Sequence, residues 1–458
     1  MSAENRLETD ATRRDPADLL TIGFGTVVAM WGAGYVFRLP GITLPSAALF
    51  FALLACLIGG GVCVGRLTDR GWRGALWVGL LAAMVNLLIL GSVISKDTPT
   101  GLAKAAVLWI PASLLISIAA ALVGQRAAGW FGPGGAKPAA GAVNWRAALV
   151  GVAIVGTLLL LAVGGVVTGF KAGLAVVDWP NSFGYNMFLY PLAKMTGPIY
   201  FEHSHRLFGS LVGLTTLVLT VYLHRFEAAR GPRLVSKLAL AAVIVQGVMG
   251  GLRVTGKFTL STSADETTPN LVLAIGHGVF AQVFFCLLVG LRVSLAAEWR
   301  SDRVRAPAAL AAERPLAIVL VVALVAQLTL GALYRHSAAA TYLYWHIGMA
   351  VGVILLGLYV GMRIWAGHEA IATLSRAAGT MLVLFGVQLA LGMFALMAVA
   401  LDGKVNPHAW HVLVTTAHQT TGALLLASAV AVMLWTMCFA GRAERRAAEV
   451  EAGAQLAS

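Results

Sequence analysis

Apolar runs of about 20 residues recur along the whole chain, each closed by a cluster of Gly, Pro or Arg. A run of that length is what a helix needs to cross the hydrocarbon core of a bilayer. Inside lipid every backbone N–H and C=O must be bonded within the segment, so such runs are helices. Twelve are expected, at roughly 18–37, 46–65, 74–95, 104–125, 148–170, 203–223, 237–255, 270–292, 315–334, 341–362, 377–398 and 409–436. The fold class is therefore all-α, a polytopic membrane protein.

The polar intervals between the runs alternate in character. With the N-terminus inside, the inner intervals carry Arg66, Arg70 and Arg73, then Arg126, Lys137 and Arg146, then Arg225, Arg230, Arg233 and Lys237. Arg292, Arg300, Arg303, Arg305 and Arg314 follow, then Arg363 and Arg376, and the tail has Arg442, Arg445 and Arg446. The outer intervals are poorer in Lys and Arg, and several hold acids: Asp178, Asp265, Glu266 and Asp402. By the positive-inside rule both termini are expected in the cytoplasm.

Two intervals read as joins. Residues 129–147 contain a Gly/Pro/Ala-rich linker, and residues 297–314 form a charged one. They divide the chain into an N-terminal four-helix extension (1–128), a first bundle (148–296) and a second bundle (315–440), followed by a tail (441–458).

Composition narrows the classes. Of the 458 residues 59% are hydrophobic and 12% charged, too apolar for a soluble globule. The net charge of +13 sits in short loops between spans, the pattern of topology signals and lipid headgroup contacts rather than of a nucleic-acid surface. The four cysteines, Cys56, Cys63, Cys286 and Cys438, fall inside expected spans or, for Cys438, just past the end of the last one, and none sits in an outer interval, so no disulfide is implied. The polar, acid-containing start MSAENRLETDATRRD resembles neither a signal peptide nor a mitochondrial presequence, and a bacterial cytoplasmic membrane is the expected home.

The last two blocks look like copies of one another. His205 and His277 are 72 residues apart (277 − 205), and so are His346 and His418 (418 − 346). A Gln-x-x-x-Gly pattern supports the register at Gln246/Gly250 and Gln388/Gly392, and recurs at Gln327/Gly331. Each histidine lies on the second or fourth helix of its block, in what the topology makes the outer half. Two parallel helices then offer two imidazoles at similar depth, an arrangement that suits bis-histidine ligation of haem iron. A single intramembrane histidine is often only an interface hydrogen-bonding group; two pairs at one spacing are harder to assign that way. No acid or cysteine gathers with them as a compact site for another metal.

Glu202 precedes His205 by three residues, on the same helix face. A carboxylate one turn from an iron ligand can move a proton or steady a cation; an acid at a helix start can equally serve the helix dipole alone. The second bundle has no counterpart, since Tyr342-Leu343-Tyr344-Trp345 precedes His346. Chemistry is thus expected in the first bundle and an auxiliary haem in the second. His203, His408 and His411 read as spare polar groups at the interface, and His224, His336 and His368 as solvated.

The series Gly164-Gly165-Val166-Val167-Thr168, Ala172-Gly173-Leu174, Asp178-Trp179-Pro180 and Glu202-His203-Ser204-His205-Arg206 resembles the haem A synthases. Ile275-Gly276-His277, Tyr344-Trp345-His346 and Ala417-His418-Gln419 fall where that family has its other ligands, and the likeness spans about residues 148–436. The resemblance implies oxidation of the C8 methyl group of haem O to a formyl group, giving haem A for terminal oxidases. It implies that His205 and His277 hold the substrate haem O, with Glu202 as the catalytic acid, and that His346 and His418 ligate a haem b. Arg206 and Arg253 are the candidates for propionate contacts. An electron donor is required, ferredoxin and quinol both being compatible, and a complex with haem O synthase or the assembling oxidase fits the family. Membrane lipid is the other expected partner, and nucleic acid is not one.

Two departures stand out. Many bacterial members carry a cysteine pair near the AspTrpPro segment, where this chain has Val177, Ser182 and Phe183, so it resembles the cysteine-free branch. Typical members also lack the block formed by residues 1–147, read here as a fused accessory domain. The competing functions are a di-haem cytochrome that passes electrons without modifying haem, and a solute transporter. The first usually pairs histidines about 13 residues apart on one helix, and no such pair is present; the second breaks its helices near the midplane, and the histidine helices carry no midplane Pro.

Overall fold

The computed structural model describes residues 15–94, 106–131, 143–256, 268–302, 304–401 and 408–457. Twelve helices long and apolar enough to cross a membrane occupy these segments, with no extended strand among the described residues. They are α1 (Ala17–Phe37), α2 (Ser46–Leu67), α3 (Gly71–Ile94), α4 (Ala106–Ala127), α5 (Trp145–Gly169) and α6 (Gly197–Phe226). There follow α7 (Arg230–Thr255), α8 (Thr268–Ser294), α9 (Glu313–Ser337), α10 (Ala340–Gly367), α11 (Ala372–Leu401) and α12 (Ala409–Ala457). All twelve expected spans are present. Several run beyond the hydrophobic limits, because a helix continues past the lipid wherever its backbone bonds remain satisfied. The largest extension is in α12, where the expected tail is helical to Ala457. Lys137, Asp265, Glu266, Arg303 and Asp402 lie outside the described residues, as does most of the 129–147 linker.

The chain forms two compact units. The first comprises residues 1–163 and 172–240, the second residues 164–171 and 241–458. In the first unit α1–α4 cluster together. The α2–α4 contact is closest where glycines face backbone: a Cβ on Gly61 would run into the carbonyl of Ala121, and one on Gly124 into that of Ile58. Small residues at such a contact let helices approach where lipid gives no hydrophobic drive for association.

Polar and aromatic contacts tie this cluster to α5 and α6. Arg146 bridges Asp15 and Glu227, each at 3.1 Å, and the Tyr222 hydroxyl donates to Asp15 Oδ1 at 2.7 Å. Trp31 meets Phe208 edge-on at 5.9 Å, Tyr35 stacks on Tyr200 at 5.6 Å, and the Tyr200 hydroxyl donates to the Tyr35 carbonyl. The N-terminal extension thus packs directly on the helix that carries Glu202 and His205.

In the second unit α9–α12 close into a four-helix bundle, with α8 against α9 and α12. Its bonds at one end include Arg363–Glu313 at 2.7 Å and Arg314–Glu444 at 2.9 Å. Residues 164–171, the last turns of α5, belong to this unit: Gly165 lies against Thr416, where a Cβ would come within 2.8 Å of Cγ2. The double glycine of the 164–168 motif therefore marks a close helix–helix contact two residues from His418.

Candidate haem site

All four candidate ligands sit near the N-terminal ends of their helices, none more than ten residues in: His205 on α6, His277 on α8, His346 on α10 and His418 on α12. His205 belongs to the first unit and His277 to the second, and each is described within its own unit.

In the first unit the chain between α5 and α6 folds back over the start of α6. Asp178 accepts from the N–H groups of Phe183 and Gly184 at 2.6 and 2.8 Å, closing a tight turn around the cis Trp179–Pro180 peptide. Glu202, only 4% exposed, receives the Val176 N–H on Oε2 at 2.9 Å and Arg206 on Oε1 at 2.8 Å. The same guanidinium donates to the carbonyls of Val176, Asp178 and Asn181. Carboxylate and guanidinium are one turn apart, so the helix presents them together and the loop closes over both. Arg206 spends its donors on Glu202 and the loop. The position expected for a catalytic acid is thereby rigidly fixed, one turn from His205.

His203, expected at the interface, is fully buried; its Nδ1 lies 3.1 Å from Ser182 Oγ and its ring 5.0 Å from that of Tyr190. His368 is buried too, at the C-terminal end of α10. A local pattern of charges does not reveal such burial, because loop and neighbouring helices create it.

In the second unit His346 and His418 come together, ring centres 6.3 Å apart and nearly perpendicular. Two iron–imidazole bonds of about 2 Å, with a little over an ångström from each nitrogen to its ring centre, give a spacing of about 6 Å. The pair therefore fits a haem iron between its imidazoles. The His346 Nδ1 lies 3.1 Å from the Gln327 carbonyl, an acceptor for an Nδ1–H, and the Gln327 amide nitrogen lies 3.2 and 3.4 Å from Nδ1 and Nε2. No cluster of three or more His, Cys, Asp or Glu that could hold a bare metal ion occurs among the described residues.

The Gln-x-x-x-Gly pattern acquires a spatial meaning. The amide of Gln246 donates to the His277 carbonyl at 2.7 Å, and that of Gln327 to the His346 carbonyl at 2.9 Å. Gln388 Nε2 lies 3.4 Å from His418 Nε2. Gly250, Gly331 and Gly392 stand beside the rings of His277, His346 and His418 respectively.

Arg335 was not singled out from the sequence. It lies near the end of α9 and donates to the carbonyls of Gly165 at 2.7 Å and Thr415 at 3.3 Å, with no ion pair to a carboxylate among the described residues. The apolar run was expected to end at residue 334, which placed Arg335 just outside the span; the helix continues to Ser337. Its being an ionisable residue within a helix of the bundle is the signal that could have found it. Arg253 pairs with Asn270 at 2.9 Å.

Residues 146–347 match the family model COX15-CtaA, described as cytochrome oxidase assembly protein. That segment, less than half of the chain, is similar to the cytochrome oxidase assembly family. It contains Glu202, His205, His277 and His346 and ends before His418. No curated protein and no solved structure matches the chain. The family and the all-α polytopic architecture agree with the resemblance read from the motifs. The α1–α4 extension lies outside the matched residues.

Proposed function

We propose that the chain is a haem A synthase, an oxidoreductase that converts the C8 methyl group of haem O to a formyl group. The observation that carries this reading is a difference between histidine sites within a cytochrome oxidase assembly segment. One histidine has a fixed carboxylate a turn away, and another pair, at iron-bridging distance, has no carboxylate beside it among the described residues and a guanidinium, Arg335, nearby.

In this reading His205, one turn from Glu202, is a ligand of the substrate haem O. Glu202, locked by Val176 and Arg206, is the catalytic acid, placed to exchange a proton at the substrate edge while an oxygen-donating oxidant from outside the chain takes the electrons of the methyl C–H bonds and supplies the formyl oxygen. The loop at 176–183 covers that edge and limits water. His346 and His418 fit a haem b, which would supply one-electron transfer when bound. Arg335 and Arg253 carry positive charge suited to haem propionates. The sites lie toward the outer face of a bacterial inner membrane, with both termini cytoplasmic; electrons come from an external donor, and haem A passes to the assembling oxidase.

The test is to purify the protein from cells supplied with a haem O source and to separate its extracted haems by chromatography. Haem b together with haem O, haem A or a hydroxylated intermediate is expected. Haem b alone would favour an electron-carrying cytochrome, and a protein without haem would remove the reading.

A further inference from the structure

Gln and Gly four residues apart share one face of a helix. This happens on three helices of the second unit, and each time that face meets a candidate ligand. A Cβ placed on Gly250, Gly331 or Gly392 would come within 3.4, 3.0 or 3.1 Å of Cε1 of His277, His346 or His418. The last two distances are tighter than almost any real Cβ contact, so each glycine provides a notch into which an imidazole turns.

One turn away the glutamine amides reach the same histidine residues: main-chain carbonyls at His277 and His346, and the ring at His418. A second, independent observation concerns the other end of each amide. The Oε1 atoms of Gln246, Gln327 and Gln388 are all buried without a hydrogen-bond partner among the described residues, and so is Nδ1 of His418. A buried amide oxygen left unbonded costs about 1–3 kcal/mol. At His418 the unbonded Nδ1 is the donor that Gln388 Oε1 would acquire when the imidazole is turned toward iron.

We propose that Gln246/Gly250, Gln327/Gly331 and Gln388/Gly392 are positioning pairs for the haem ligands. The glycine sets the ring plane, and the glutamine side chain holds the ligand helix and accepts the Nδ1–H of a ligating imidazole. At His346 the main-chain carbonyl of Gln327 already provides such an acceptor. At His418 the complementary orphans, Nδ1 and Gln388 Oε1, make the glutamine side chain the one on which the ligand depends. An acceptor on Nδ1 raises the basicity of the ligating nitrogen, and losing one typically weakens metal affinity about tenfold to a hundredfold. The inference rests on the proposal that His346 and His418 bind haem.

The experiment uses the full chain purified with its haems. For Gln388→Leu, haem b retention is expected to fall about tenfold or more, and the midpoint potential of the remaining haem to rise, because a less basic ligand stabilises the oxidised iron less. Gln388→Glu keeps an acceptor and is expected to restore both. Gln327→Leu is expected to shift the potential less, since its main-chain carbonyl survives. Gly392→Ala is expected to replace the low-spin bis-histidine spectrum with a high-spin one. Haem-replete wild type with unchanged potential, spectrum and retention in Gln388→Leu and Gly392→Ala would overturn the inference alone. Wild type that binds no haem, or whose His418→Ala variant keeps a full low-spin haem b, would overturn the reading beneath it.

Discussion

Two regions that the repeat makes equivalent have been built differently. Around His205 the local helix supplies Glu202 and Arg206, and a loop with the tight Asp178 turn is fastened over them. Around His346 and His418 there is no acid among the described residues; the neighbours are glutamine amides, glycines, apolar side chains and the Arg335 guanidinium. Charge that is fixed and covered favours chemistry at one edge of a bound group, whereas neutral bracing favours holding one permanently. The lesson is that the two blocks share the spacing of their histidines while the surroundings differ, as the two tasks proposed for them require.

The sharpest way to break the comparison is to remove the charge that separates the two sites. Glu202→Gln keeps size and hydrogen-bonding ability, and turnover of haem O is expected to drop about 10²–10⁴-fold. Haem b content should stay at the wild-type level. Equal loss of haem b, measured in the same extracts, would mean that Glu202 is structural.

Arg206→Leu comes next. It leaves Glu202 buried without its cation and frees three loop carbonyls, at an expected cost of about 3–5 kcal/mol. Thermal unfolding in detergent should report it, together with faster proteolysis of the 176–196 loop. A variant as stable as wild type would show that the clamp does not hold the loop.

The comparison can also be erased from the other side. Leu343 occupies the place, three residues before His346, that Glu202 occupies before His205. Leu343→Glu puts an unpaired acid into the first turn of α10 at a half-buried position and should cost about 1 kcal/mol, since the span's end and the helix dipole soften the penalty. Adding Ile347→Arg recreates the Glu202/Arg206 spacing and should recover part of that cost. A double-mutant cycle on thermal stability measures the coupling, and a coupling near zero would mean that the loop around Glu202 matters more than the ion pair.

The smallest effect is expected far from either site. Arg314→Ala breaks an ion pair whose Glu444 side chain is 52% exposed, and should change stability by about 1 kcal/mol or less. A larger loss would show that the long C-terminal helix is held through this contact.

Much of this protein was legible in the order of its residues. The twelve spans follow from the length of the apolar runs, since lipid leaves a backbone no alternative to bonding within the helix. The spacing of His205, His277, His346 and His418, and the acid present at 202 and absent at 343, are facts of sequence alone. Others could not be read there, because they depend on which helix faces which. Burial of His203 requires the loop bearing Ser182 and Tyr190. The use of Arg206 requires the same loop, and Arg335 became visible once α9 was seen to continue past residue 334. The Gln-x-x-x-Gly pattern was noticed as a mark of register, but only packing put each glycine against an imidazole. Periodicity along a chain fixes which residues share a helix face; what that face meets is decided by contacts between segments far apart in sequence.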